Sequence, residues 1–225
     1  MNGLFIESTE TEKFYSAMHN SLEDLWNIRA KHMFQTLNRV LEHRGNKSKA
    51  IVWAHNSHAG NAQGTALGWG PSAISLGQLC KEDPFYGNKV LNLGCFTYSG
   101  DVAAAEGWDE EMKIINLKPP TRERSIEALA HSTGRESFLV DLREGVADSD
   151  LRTELSKLPR PERSIGVIYD PDENDDSLYT NAELPKQFDG MLYFDKTTAI
   201  KPLHVHGAHS EKRGVFMDQM YPFGL

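Results

Sequence analysis

The chain has 225 residues, of which 39% are hydrophobic, so it is long enough for one globular domain with its own core. Its 24 basic and 32 acidic residues give a net charge of −8, which disfavours broad binding of nucleic acid through the phosphates. No stretch approaches the ~20 apolar residues that a membrane span needs, and two cysteines cannot make a disulfide framework.

The N-terminal residues and the two cysteines suggest a protein of a reducing compartment. Residues 1–12 resemble neither a signal peptide nor a transit peptide, so we expect a cytoplasmic protein whose two thiols are free and mostly buried. Residues 10–20 predict a short helix.

A longer helix is predicted to follow Ser21. Its apolar residues recur at helical spacing, and His43 and Arg44 before Gly45 are typical of a helix end. Arg29 falls on the apolar stripe, where an unpaired buried charge would be costly. The sequence therefore leaves two roles for Arg29, a structural ion pair or a site-lining group. The stripe consists of Leu22, Leu25, Trp26, Met33, Leu37, Val40 and Leu41.

Short apolar runs that alternate with helical stretches predict the rest of the fold. This alternation is typical of a parallel or mixed sheet covered by helices on both faces. Beyond Pro202 the pattern ends, and we predict that residues 204–225 are a disordered tail whose alternate histidines carry little functional weight. The predicted strands are 50–54, 89–96, 137–141, 164–169 and 190–194, and the predicted helices are 72–81, 124–131 and 149–158.

The segment from Ile51 to His58 is the candidate site. A β-branched apolar run stops at His55 and His58, and glycines follow it. Ligands of open α/β sheets bind outside the carboxyl ends of strands, and histidine can act there as base, acid or metal ligand. Residues 51–58 are therefore a candidate site, with structural histidines as the alternative.

Several familiar catalytic motifs are missing from the sequence. It has no G-x-S-x-G, no H-E-x-x-H and no P-loop. What remains is a set of polar residues at strand ends, in which a histidine could activate water and an arginine or a second histidine could stabilise the oxyanion. Besides His55 and His58, this set contains Asn56, Asp101, Glu106, Asp109, Asp141 and Arg143.

Six segments in order resemble the erythromycin esterase family. Residues 26–33 resemble its W-N-x-R-x-x-x-M helix, and residues 52–58 resemble its V-W-A-H-N-x-H strand end, the most specific match. The others are Trp108-Asp109, residues 138–143 (F-L-x-D-L-R), residues 165–169 and residues 184–189. The resemblance spans about residues 12–203, and we expect residues 1–203 to form this domain.

The resemblance implies a three-layer α/β/α fold with a mostly parallel sheet. It also implies hydrolysis of an ester, in the best-known members a macrolide lactone, by water that a histidine activates. It makes His55 and His58 the catalytic residues that position substrate or stabilise the oxyanion. Arg29, Asn56, Trp108 and Asp109 become substrate-binding or site-lining residues, and no cofactor or metal is expected.

The sequence also departs from the family. It lacks the G-E-x-x-H-G motif, whose histidine is the family's proposed general base, and it begins at what corresponds to the middle of a family member. We therefore expect a partial domain with a sheet that is incomplete at one edge and able to self-associate there.

Two alternatives remain open besides a truncated esterase. One is an inactive remnant that binds a small molecule or partner chain. The other is a metal-dependent hydrolase that uses His55, His58 and a carboxylate such as Glu106. We also expect Arg29→Ala to destabilise or inactivate the protein and Arg163→Ala to have little effect.

Overall fold

A computed structural model describes residues 22–65, 72–172 and 175–200. The predicted helix at 10–20 and the tail at 204–225 with its histidines lie outside these residues, and the domain boundary at 203 stays a prediction. Among the described helices, none is both long enough and apolar enough to cross a membrane.

The described residues divide into two compact units. The first unit contains the described residues of Met1–Cys95, Leu139–Glu162 and Thr180–Leu192. The second contains those of Phe96–Phe138, Arg163–Tyr179 and Tyr193–Leu225. The divisions fall inside strands, so several strands contribute residues to both units.

The helices begin where the sequence supplies capping side chains. Ser75, Ser125 and Asp148 each accept a hydrogen bond from a backbone N–H in the first turn of the helix that follows them. The long first helix is followed at its end by Gly45, whose φ of 89° suits glycine. The helices are α1 (Leu22–Arg44), α2 (Asn56–Ala59), α3 (Leu76–Glu82), α4 (Ile126–His131), α5 (Ser149–Ser156) and α6 (Leu184–Gln187).

The described strands form a four-stranded sheet and a two-stranded one. The strands are β1 (Leu93–Ala104), β2 (Lys113–Leu117), β3 (Ser137–Asp141), β4 (Arg160–Arg163), β5 (Tyr179–Ala182) and β6 (Gly190–Thr197). The larger sheet has the order β2-β1-β6-β3, and the smaller one pairs β4 with β5. Short 3₁₀ turns occupy Ala62–Gly64, Gly87–Lys89 and Asp175–Leu178.

The α/β class is confirmed, but the larger sheet is mixed and mostly antiparallel. β1 and β2 are antiparallel, with Gly100 opposite Leu117 and Ala104 opposite Lys113. The ends of β3 and β6 also pair in opposite directions, because Leu142 N–H donates to Asp189 and Asp195 N–H donates to Glu136. The expectation of a mostly parallel sheet is therefore wrong, because β1 returns directly through a hairpin into β2. The three-layer arrangement stays a prediction.

Most of the predicted elements are present, with shifted ends. α1 and β3 have the predicted bounds, and the other three predicted helices are shorter than expected. The strand at 190–194 continues to Thr197, and the strand at 89–96 begins later and runs on to Ala104. Two predicted strands are wrong. Residues 50–54 form no ladder, and residues 164–169 contribute only an isolated bridge from Ile168 to Ala105.

The second unit has a small apolar core beside a close backbone contact. Ala104, Ile115, Leu117 and Tyr169 are buried together. Gly100 has a φ of 125°, and a Cβ atom there would lie 1.9 Å from the carbonyl oxygen of Thr197. Only glycine fits at this position, which lets β1 continue past Thr197 of β6 into the β2 hairpin.

Candidate functional site

Helix α1 holds the segment that leads into α3. The indole N–H of Trp26 donates to the carbonyl of Ile74 at 2.6 Å. The amide of Asn27 accepts from Ile74 N–H at 2.9 Å and donates to the carbonyl of Ser72 at 3.2 Å, while Glu23 accepts from Ser72 N–H. The W-N pair of the sequence therefore fixes residues 72–74 through side chains on one helix.

The buried hydroxyl of Ser75 connects α3 to the chain that follows α2. It donates to the carbonyl of Gly60 at 2.5 Å and accepts from Ala62 N–H at 3.2 Å. Gly77 lets α3 come close to this segment, because a Cβ atom there would lie 1.9 Å from the carbonyl oxygen of Ala59. These contacts position the single turn of α2.

His55 caps the N-terminus of α2 and is exposed. Its Nδ1 accepts from the backbone N–H of Ser57 at 3.3 Å and lies 2.9 Å from the Ser57 hydroxyl oxygen. Because Nδ1 serves as an acceptor, the neutral ring carries its proton on Nε2. Nε2 is then a hydrogen-bond donor rather than a base.

Asn56 binds the open edge of β1. Its amide donates to the carbonyl of Cys95 at 2.9 Å and accepts from Cys95 N–H at the same distance. One side chain therefore makes both bonds that a neighbouring strand would make there. This structural task accounts for Asn56, and its predicted contact with substrate stays a prediction.

His58 is buried and lies flat against Trp26. The ring centroids are 4.6 Å apart and the planes differ by 8°. Burial first, then the charge of Arg29 and then His55, lower the pKa of His58 to about 4. Its Nδ1 is buried and has no hydrogen-bond partner among the described residues. His58 is therefore neutral near pH 7, with one ring nitrogen unsatisfied.

The structure brings four of the six predicted site residues together in the first unit. His55, Asn56 and His58 share one turn, and Arg29 is near enough to His58 to shift its pKa. This cluster offers a donor at His55 Nε2, a neutral imidazole and a guanidinium. Such a set can bind and polarise a carbonyl oxygen.

Trp108 and Asp109 belong to the second unit, in the turn between β1 and β2. Trp108 is exposed, and Asp109 has a φ of 66°, the left-handed conformation that aspartate tolerates in turns. The turn itself explains an aspartate at this position. Their role in substrate binding stays a prediction.

The other charged candidates at strand ends already have partners. Arg143 makes a bidentate pair with Asp141 over distances of 2.6 to 3.2 Å, and these bonds lower the pKa of Asp141 to about 2. Glu106 binds Lys113 at 2.6 Å, and Asp101 accepts from Asn116 at 3.3 Å. These groups stabilise local structure.

A second histidine cluster, not predicted from the sequence, lies in the second unit. His131 Nδ1 is 2.5 Å from Asp195 Oδ1, and the buried Tyr193 hydroxyl donates to the same oxygen at 2.6 Å. The His131 ring stacks on Tyr98 with a centroid distance of 3.7 Å. The signal was present, since a predicted helix ends at His131 and a predicted strand stops just before Asp195.

The described residues contain no group of three His, Cys, Asp or Glu side chains close enough to hold a metal ion. Both cysteines are free; Cys80 is buried, whereas Cys95 is exposed, against the expectation of buried thiols. A depression of about 710 Å³ lies in the first unit beside α5 and is lined by residues 144–157, none of which was predicted for the site.

A comparison with protein families finds one match over most of the chain. The model described as erythromycin esterase matches residues 6–197. This range contains both unit cores and every residue predicted for the site.

Solved structures of larger proteins share the fold. A protein from Bacillus cereus matches with a TM-score of 0.63 and 22% identity, and the match covers 78% of this chain and 40% of that protein. A succinoglycan biosynthesis protein matches with a TM-score of 0.60 and 20% identity, and the match covers 80% of this chain and 40% of that protein. An erythromycin esterase mutant in its open conformation matches with a TM-score of 0.49 and 15% identity, covering 74% and 36%. The chain thus spans about two fifths of the length of these proteins.

Proposed function

Because the chain belongs to the erythromycin esterase family, we propose that it is a hydrolase that cleaves a carboxylic ester or a macrolide lactone with the help of its strand-end histidines. One observation carries the proposal. The exposed His55 ring has its Nδ1 engaged by Ser57, which leaves the proton of the neutral ring on Nε2. In the neutral ring this atom is a hydrogen-bond donor, the kind of group that a carbonyl oxygen needs.

The proposal gives each clustered residue a distinct role. His55 Nε2 donates to the carbonyl oxygen of the ester, and this bond strengthens as water attacks, gives its proton to bulk solvent and turns the carbonyl oxygen into an oxyanion. The oxyanion then collapses and expels the alcohol, which takes up a proton from solvent. The cation of Arg29 favours the same negative charge. His58 stays neutral and, through its stack on Trp26, keeps the turn that carries His55 in place.

His58 is poorly suited to remove the proton from water. A general base works best when its pKa lies near the working pH, and the pKa of His58 is about 4. A second function is therefore favoured by the same observation: the cluster binds an ester or lactone without turning it over.

One experiment separates these functions. The purified chain is incubated with a macrolide and with simple esters, and products are detected by mass spectrometry, while binding of the intact macrolide is followed by calorimetry. The decisive variant is His55→Asn, because asparagine still caps the helix but lacks the donor at Nε2. The matched control is His43→Asn on the exposed end of α1.

We expect turnover in the wild-type chain and in His43→Asn, and its loss in His55→Asn. Macrolide binding without turnover, lost in the same variant, would establish the binding function instead. Unchanged turnover in His55→Asn would contradict both roles assigned to this histidine. His55→Ala should lose turnover too, but that variant also removes the cap.

A further inference from the structure

The apolar run that precedes His55 is exposed to solvent. Ile51 and Trp53 are each 94% exposed and Val52 is 46% exposed. Residues 50–54 make no ladder bonds, although their composition is that of a strand. An exposed isoleucine and tryptophan two residues apart in an unpaired backbone form a surface that another strand can cover.

Two leucines in the same unit are exposed as well. Leu93 of β1 and Leu139 of β3 are 37% and 63% exposed. They lie on either side of Gly190, since a Cβ atom there would meet side-chain carbons of both, at 2.9 and 3.8 Å. We call Ile51, Val52 and Trp53 the apolar surface of the first unit.

The run lacks the usual protection of an unpaired edge. Proteins commonly block edges with charges, proline or bulges. Residues 50–54 contain no charge and no proline, and no acidic residue occurs anywhere from Gly45 to Lys81. In a chain with 32 acidic residues, this acid-free segment is where two copies repel each other least.

We propose that a second copy of this chain occupies the apolar surface, through antiparallel pairing of residues 50–54 about a two-fold axis at Val52. The sequence is complementary to itself in this register. Ile51 of one copy faces Trp53 of the other, a β-branched residue against an aromatic one, and Ala50 faces Ala54. Each contact occurs twice, as a two-fold interface requires.

The register also brings a charge to the candidate site. It places the exposed Lys49 of one copy opposite the exposed His55 of the other. Three apolar side chains and one short strand cover less than about 800 Å² per partner, the size of a standard interface. The dimer therefore dissociates on dilution and is not an obligate one.

The test has two parts, and both use the full chain. Light scattering over a dilution series measures the mass of the wild type, of Trp53→Lys, and of Phe85→Lys as the control. Phe85 belongs to the same unit and is 84% exposed, but it lies outside the apolar surface. We expect the wild type and Phe85→Lys to reach twice the mass of one chain and Trp53→Lys to stay at one.

Thiol cross-linking then tests the register. In a Cys95→Ser background, Val52→Cys should form a disulfide-linked dimer with a mild oxidant, because the two thiols meet on the axis. Ala50→Cys should not, because four residues of offset separate the thiols by about 13 Å. Both sites are accessible and outside the cores, so the variants should fold.

Three results would overturn the proposal. The first is a wild-type chain that stays monomeric at the highest concentration. The second is a dimer that survives Trp53→Lys, which would place the interface elsewhere. The third is equal cross-linking of Val52→Cys and Ala50→Cys, which would indicate random collision rather than pairing about Val52.

Discussion

Two histidines in this protein lie flat against aromatic rings, but their surroundings differ. His58 stacks on Trp26 in the first unit, where it is buried and feels the charge of Arg29. His131 stacks on Tyr98 in the second unit, where it is half exposed and bound to the carboxylate of Asp195. A stack on an aromatic ring therefore holds both imidazoles, whereas only His58 is buried and lies near a cation.

The difference has consequences for function. Burial and then the cation of Arg29 disfavour a positive charge on His58, so the ring stays neutral. Its buried Nδ1 has no hydrogen-bond partner among the described residues. The carboxylate beside His131 belongs to Asp195, and its bond with His131 lowers the pKa of Asp195. Of these two histidines, only His58 has a buried ring nitrogen without a partner among the described residues. Such an unsatisfied atom is typical of sites that receive a ligand.

The largest expected effect comes from removing the buried stacking partner. Trp26→Ala removes the face that supports His58 and the indole N–H that binds Ile74. We expect a loss of about 3–5 kcal/mol in the free energy of unfolding, measured by urea denaturation. Tyr98→Ala should cost less because its ring is only partly buried. Trp53→Ala should cost almost nothing at concentrations where the chain is monomeric, because Trp53 is exposed there. Equal costs for Trp26 and Tyr98 would contradict the comparison.

A smaller effect should appear in the pH dependence of stability. The pKa of His58 falls to about 4 in the folded chain, so the unfolded chain takes up a proton first as the pH drops. The wild type should therefore lose about 2–3 kcal/mol between pH 6.5 and 4 from this group. His58→Phe keeps a stacked ring that never titrates and should not show that loss.

The measurement is urea denaturation of both chains at several pH values, with His43→Phe as the control on the exposed end of α1. The control should follow the wild type at every pH. Parallel curves for His58→Phe and the wild type would show that His58 is protonated in the folded chain as readily as in the unfolded one.

Periodicity predicted the elements that depend on local signals. α1 has its expected bounds because apolar spacing and the glycine after it act within the segment itself. The run from Ile51 to Trp53 was predicted to be a strand, and its composition supports that. A strand needs a neighbour to bond with, however, and the described residues supply none. β2, β4 and β5 were missed because none of them has a clean apolar alternation.

The candidate site was predicted only in part, for a similar reason. Motifs identified the His55–His58 turn and Arg29, whose chemistry stands out along the chain. They did not show that Arg163 is buried, with its guanidinium donating to the carbonyls of Lys118, Thr97 and Tyr98. These partners are 45 to 66 residues away in sequence. The structure thus argues against the expectation that Arg163→Ala would have little effect.

The smallest expected effect tests the second histidine. Asp195 lies partly exposed between His131 and Tyr193, so solvent screens the pair, and Asp195→Asn should cost less than about 1 kcal/mol at pH 7. Because bonding lowers the pKa of Asp195, its contribution is present above the unfolded pKa and disappears as the pH falls below about 4. Urea denaturation of the wild type, of Asp195→Asn and of the exposed control Asp172→Asn at pH 7 and at pH 3 measures this cost and its disappearance at low pH. A cost that persists at pH 3 would mean that packing, rather than the charge of Asp195, holds His131 in place.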